Sequence, residues 1–140
     1  LFHTPAFLRL VFQMPTTGKE DETKSITLNL QRLFCRLQIG EQACPTTGLT
    51  RSFGWTSGEV FMQHDVQEFC RVLMDNLEGK LKNTELSNKI PDLFRGESRN
   101  CIRCINVPCE SIRNEYFYDL PIQIKGCNSL EDSFKKYIAK

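Results

Sequence analysis

The sequence has no uninterrupted run of the roughly eighteen apolar residues that a membrane-spanning helix needs, and no apolar leader with a small-residue cleavage site. It also lacks an excess of either charge: 18 Lys and Arg face 17 Asp and Glu, for a net charge of +1. No broad field of one sign draws it toward DNA, RNA or an anionic lipid surface, so neither nucleic acid nor a membrane is expected as a partner. Histidine is scarce, with only His3 and His64, which limits where a nucleophile could find a base. The seven cysteines are an odd number. Without a leader, they argue against a disulfide framework and for a reducing compartment, cytoplasmic or nuclear. Internal repeats and low-complexity tracts are missing too.

What is present suffices for one core. A chain of 140 residues, 40% of them hydrophobic, fills a single domain and leaves no room for a second. It opens on Leu1 and Phe2 and ends inside the helix-like text "FKKYIAK", so it is expected to be cut from something longer.

Thr4 followed by Pro5 suits an N-cap and first helical position, and "AFLRLVF" continues for two turns before "MPTTGKEDETK" breaks the pattern into a surface loop. Ser25 caps a second expected helix bearing Ile26, Leu30, Leu33, Phe34 and Leu37. "GEQACPTTGLTRSFGW" reads as an ordered connection pinned by Phe53 and Trp55, and Thr56 with Glu59 fits a capping box. Val66, Phe69, Cys70, Leu73, Leu77 and Leu81 then fall on one stripe of a long helix and are expected to be buried. After Lys82 comes loop, then "IPDLF". From Asn100 the period changes: Tyr116, Tyr118, Leu120, Ile122 and Ile124 alternate as a half-buried strand would, with "CIRCI" as hairpin partner turned through "NVPC". Ser129 and Asp132 open a final helix carrying Leu130, Phe134, Tyr137 and Ile138. Helices first and strands after indicate an α+β fold.

The chemistry concentrates at the start of the long helix, in "MQHDVQEF". Asp65 and Glu68 point away from the apolar stripe, as acidic residues in a first turn do when they offset the helix dipole, an effect of roughly 0.3 to 1 kcal/mol. Gln63 projects toward the apolar side, where an amide needs partners. A nucleophilic pair of Cys70 and His64 fails on geometry, because six helical residues separate them by about 9 Å along the axis and about 120° around it. Cys35 and Cys70 read as small core hydrophobes, and His3 as structural or exposed. Cys101 and Cys104 have zinc-knuckle spacing with Cys109 nearby, but a tetrahedral site needs a fourth ligand; the other reading is a strand whose cysteines alternate between faces.

In order and separation, "SFGW", "MQHDVQEFCRVLMDNLE", "LFRGESRNCIRC" and "YFYDLPIQIKG" resemble the catalytic domain of the ubiquitin-specific proteases, nearest to the herpesvirus-associated branch, from Leu1 to Lys140. The resemblance implies a papain-like cysteine protease hand of thumb, palm and fingers, with residues 1–95 in the thumb, 96–124 in fingers and palm, and 125–140 a following helix. It implies hydrolysis of the bond after the C-terminal glycine of ubiquitin, by a thiolate, a proton-shuttling histidine and an orienting Asn or Asp. Ubiquitin and ubiquitinated proteins are the implied partners, and no cofactor is expected.

In the family's register the nucleophile falls before Leu1 and the catalytic histidine beyond Lys140, so no residue of this sequence is expected to be catalytic; His64 matches a histidine at the helix start instead. The register aligns Cys104 with the first knuckle cysteine and puts Val107 where the second would stand, so no metal is expected. It places Asp65 and Glu68 in the channel that takes the tail of ubiquitin, which carries two arginines before its Gly-Gly, with Gln63 as a packing or channel-wall amide, Val66 as a further tail-binding residue and Arg71 as a contact or a brace for Glu68. The alternative is a non-catalytic ubiquitin-binding module or pseudoenzyme; a free-standing zinc or redox domain built on Cys101, Cys104 and Cys109 is a third reading.

The isolated 140 residues are accordingly expected to leave a fluorogenic ubiquitin C-terminal amide uncleaved. Turnover that disappears in Cys70→Ser or Cys101→Ser would show that the nucleophile lies within this stretch.

Overall fold

Thr4 and Pro5 begin the first helix. In the computed structural model, which describes residues 1–17, 19–55 and 65–139, α1 spans Pro5–Gln13. Pro5 costs no intrahelical bond there, because first-turn N–H groups have no partner within the helix. Thr4 has extended backbone at the N-cap, yet its side chain accepts no capping bond. The far end of α1 is closed from outside: Gln31 Nε2 donates to the carbonyls of Val11 at 2.8 Å and Met14 at 3.0 Å, while Thr16 Oγ1 donates to Gln31 Oε1 at 3.0 Å.

Gln31 belongs to α2, Ile26–Ile39, whose N-cap is Ser25, as expected; its Oγ accepts from the Leu28 N–H at 3.2 Å and donates to Glu20. Asn29 is buried and donates to the carbonyls of Glu22 at 2.7 Å and Ser25 at 2.8 Å. Glu20 also takes a bond from Lys80 Nζ at 2.6 Å. The polar loop between α1 and α2 is thus tied down at both ends by side chains of α2 and from the side by Lys80.

"TGLTRS" forms a short helix, α3 (Thr47–Ser52), inside what reads as a connection. It lies so near α2 that a Cβ on Gly48 would come within 2.9 Å of Asn29 Oδ1. A second short helix, α5 (Lys89–Phe94), occupies the "IPDLF" loop, with Pro91 in its first turn. Between them α4 spans Val66–Leu81. The helices Leu1–Phe94 form one unit around Phe7, whose ring meets Phe34 of α2 at 6.1 Å and Phe94 of α5 at 5.3 Å. Leu30, Leu73, Leu77, Leu81 and Ile90 complete the buried centre.

The stripe of α4 is corrected at its start. Leu73, Leu77 and Leu81 are buried, Phe69 and Cys70 half-buried, but Val66 is 73% exposed. Periodicity fixes the face a residue occupies; burial also requires a neighbour at that height, and the 16-residue stripe runs for about 22 Å. Leu37 is exposed near the end of α2 for the same reason, while Cys35, expected in the core, lies about 140° around the helix from Leu30 and faces solvent.

The second unit is Arg95–Lys140. Here β1 (Gly96–Arg103) and β2 (Glu110–Phe117) pair antiparallel, from Gly96↔Phe117 to Arg103↔Glu110. The hairpin through "NVPC" forms as expected, but β2 begins earlier and stops at Phe117. Leu120, Ile122 and Ile124 lie outside any strand, since Pro121 has no N–H for a ladder. Nor is the strand half-buried: Tyr116 is exposed and Ile124 is 80% exposed. The Phe117 ring lies over Gly96, where a Cβ would fall 2.3 Å from it. Last, α6 (Leu130–Ile138) starts at Ser129, which accepts from the Asp132 N–H at 3.2 Å; Asp132 returns its bond to the Asn128 N–H at 3.3 Å instead of to Ser129. The molecule is therefore α+β, helices first. The Thr56–Glu59 capping box lies outside the described residues.

Lys80 first and Ser25 second hold the Glu20 carboxyl below its ordinary range. A carboxylate depressed in the folded state stabilises the fold above its unfolded pKa, and that contribution fades as pH falls through the folded value. Lys80 stays partly solvated, so Glu20→Gln is expected to cost only about 1 kcal/mol at neutral pH. In urea titrations the gap from wild type should shrink as pH drops from about 5 toward 3. A gap of the same size throughout would rule the pair out as its source.

Candidate functional site

The start of α4 gathers most of the residues singled out from the sequence. Asp65 is the N-cap, with extended backbone at φ −69° and ψ 121°. Its Oδ1 accepts from the Gln67 N–H at 2.7 Å, and its carbonyl takes the first helical bond, from the Phe69 N–H at 3.0 Å. Capping is a role the sequence reading did not assign to it, although Asp directly before an apolar-periodic run is a helix-start signal. One carboxylate oxygen is thereby committed to the backbone and the other is not.

Glu68 stands in the first turn and is exposed, as is Arg71. The two are three residues apart, but no salt bridge joins them among the described residues, so Arg71 does not brace Glu68. Asp65 forms no salt bridge there either. The structure therefore places Asp65, Val66, Glu68 and Arg71 exposed at the N-cap and first two turns of α4, with Val66 on the opposite side of the helix from Glu68 and Arg71. Gln63 and His64 lie outside the described residues.

Beneath this end sits an aromatic cluster. Phe69 has its ring 5.3 Å from that of Phe53 and 5.9 Å from that of Trp55, while Phe53 and Trp55 stack at 5.5 Å. Gly54, with φ +80°, makes the turn that folds Trp55 back beside Phe53. Phe53 and Trp55 thus pin the connection, as expected, and they pin it against the helix that carries the carboxylates. Offset and tilted ring contacts of this kind contribute about 0.5 to 1.5 kcal/mol each beyond area burial.

No cysteine bonds to a histidine among the described residues. The ring of His3 lies against Phe2 at 5.1 Å. Cys101, Cys104 and Cys109 carry free, exposed thiols on the hairpin. Cys101 donates to Glu110 Oε1 at 2.5 Å, and that bond pushes its thiol pKa up. Among the described residues no three His, Cys, Asp or Glu side chains converge as a metal site would require. No described helix is long and apolar enough to cross a membrane.

Comparison with known proteins places this arrangement. The family model for ubiquitin carboxyl-terminal hydrolase matches residues 1–126. Ubiquitin C-terminal hydrolase 12 of Arabidopsis thaliana is 48% identical over 138 residues, 99% of this chain and 12% of that protein. Ubiquitin carboxyl-terminal hydrolase 7 of Caenorhabditis elegans is 46% identical over 136 residues, 97% of this chain and 12% of its own length. Ubiquitin carboxyl-terminal hydrolase 15 of Schizosaccharomyces pombe is 46% identical over 138 residues, with 99% and 12% covered. The chain spans about an eighth of the length of these curated relatives. With the family match running unbroken through α1 to α5, the hairpin and the segment after it, the chain belongs to the ubiquitin carboxyl-terminal hydrolase family.

Proposed function

We propose that this chain is part of a thiol-dependent deubiquitinase that hydrolyses the isopeptide or peptide bond after the C-terminal glycine of ubiquitin. The names of the relatives support hydrolysis at the ubiquitin C-terminus. In this reading the domain is a papain-like hand, residues 1–95 contribute the thumb and residues 96–124 enter fingers and palm. The nucleophile and base come from elsewhere in the protein, since no described cysteine here has a histidine partner. The protein works in the cytoplasm, the nucleus or both, on ubiquitin and ubiquitinated proteins.

The observation that carries the reading is the exposed pair of carboxylates at the start of α4, without a salt bridge among the described residues. In the reaction this stretch positions substrate. Asp65 and Glu68 accept charge-assisted bonds from the guanidinium groups of the ubiquitin tail, Arg71 reaches the tail backbone, and Val66 supplies an apolar surface next to Asp65. Gln63 belongs to the same channel. Fixing an extended tail by its charges brings the scissile carbonyl to the thiolate in one register.

Because Asp65 also caps the helix, Asp65→Ala mixes two effects, and Asp65→Asn separates them. Asn caps as well as Asp does, so Asp65→Asn should leave the thermal midpoint nearly unchanged, while Asp65→Ala should cost about 0.5 to 2 kcal/mol of stability. Both should lower kcat/KM on ubiquitin substrates by about ten- to a hundredfold, the loss of one charge-assisted contact of roughly 1.5 to 3 kcal/mol, and Glu68→Gln should do the same. On ubiquitin with its tail arginines replaced, the variants should lose little more than wild type does. Fully additive losses, or a wild-type kcat/KM for Asp65→Asn, would mean that these groups are not partners.

A further inference from the structure

The two cysteines that close the hairpin stand across from one another. One step past Arg103↔Glu110, the strand register sets Cys104 opposite Cys109, and the Cys104 N–H donates to the Cys109 carbonyl at 3.0 Å. Directly opposed residues of antiparallel strands share a face, and at a hydrogen-bonded position such as this one their Cα atoms stand about 5.5 Å apart. That lies inside the roughly 4.4 to 6.8 Å that a disulfide spans. Both thiols are free and exposed. The turn between them is narrow, closed by a bond from the Cys109 N–H to the Val107 carbonyl at 2.7 Å.

Cys101 is excluded from this pairing. Three residues back along an alternating strand, it projects from the opposite face, sits across from Ile112, and keeps its thiol on Glu110. The geometry therefore singles out one pair among the three hairpin cysteines.

We propose that Cys104 and Cys109 form a redox modification site, a dithiol that a hydroperoxide converts into an intrachain disulfide across the hairpin end. One thiolate attacks the O–O bond of hydrogen peroxide; its sulfur gains an oxygen as sulfenic acid, and the other oxygen leaves as water after taking a proton. The second thiolate attacks the sulfenic sulfur, the S–S bond forms, and the hydroxide released takes a proton as a second water. Two thiols lose two electrons and two protons in total, and one peroxide becomes two waters. Exchange with a small thiol such as glutathione returns both sulfurs to the reduced state, as suits a transient bond in a reducing compartment. The product locks the turn at residues 105–108, whose Ile105 is 99% exposed.

The sequence supplies a direct readout. Trypsin cuts after Arg103 and Arg113, so one peptide, Cys104–Arg113, holds both cysteines and no other, while Asn100–Arg103 holds Cys101 alone. The full-length protein is treated with excess hydrogen peroxide, alkylated with N-ethylmaleimide, digested and weighed. The 104–113 peptide should lose both labels and be two hydrogens lighter than the dithiol, and dithiothreitol before alkylation should restore both labels. The Cys101 peptide should keep its label. In Cys104→Ser the light, unlabelled species should vanish. Peroxide-treated protein in which Cys104 and Cys109 both remain labelled, or in which either is linked to a different cysteine, would overturn the proposal.

Discussion

Helix α4 is held by its lower two-thirds, and the placement of the candidate site follows from that. Leu73, Leu77 and Leu81 are buried against the other helices of the first unit, each contributing about 1.5 to 3 kcal/mol by leaving water. Phe69, one turn nearer the start, is gripped by Phe53 and Trp55. Above that point nothing described covers the helix, so Val66, Asp65 and Glu68 face solvent. A helix anchored in this way fixes the direction of its exposed carboxylates without burying them. Buried, those charges would need partners of their own; free on a loop, they would cost ordering entropy on binding.

The four helices α1, α2, α4 and α6 were legible in the sequence because their signals are local. An N-cap residue precedes each of the four, followed by Pro in α1, and a stripe of apolar residues marks α4. The helices α3 and α5 were not. Each has six residues and buries a single one, Leu49 or Ile90, too few to set a period against the Gly and Pro around them. Val66 and Leu37 show the complementary failure, since sequence spacing gives the face of a helix but not the extent of what packs on it. The amide clamps of Asn29 and Gln31 were invisible for a different reason. They join residues that only the fold brings near, and a polar residue beside an apolar stripe reads as solvent-facing. At the site, the residue pattern located the acids, the family resemblance gave them a substrate, and the capping bond of Asp65 was readable in principle but passed over.

The hairpin draws its order from different sources. A two-stranded ribbon is marginal in water on its backbone bonds alone. Here Phe117 lies over Gly96, a glycine that leaves room for the ring, and the Arg95 guanidinium sits 4.3 Å from the centre of the Tyr116 ring. Arg103 with Glu110 and Arg113 with Glu115 add ion pairs, but these are solvated and contribute little. Alternation along Tyr116 to Ile124 pointed to a strand with one dry face, and Pro121 ended the strand before that pattern could be used.

Asp65 combines two roles that can oppose each other. As N-cap it gives one oxygen to the Gln67 N–H, at a helix end that carries about half a positive charge. A guanidinium approaching a bare helix start would meet that charge as repulsion. The Asp65 carboxylate more than cancels it, and Glu68, in the same first turn with no salt bridge to Arg71, adds a second negative charge. The helix start is thereby turned from an anion site into a cation site while the Gln67 N–H keeps its partner. A neutral cap at position 65 would preserve the helix and the geometry and still give up about half of this reversal. In the proposed reading, the charge of Asp65, separable from its hydrogen bond, is what would select a basic tail over the acidic ligands that helix starts ordinarily attract.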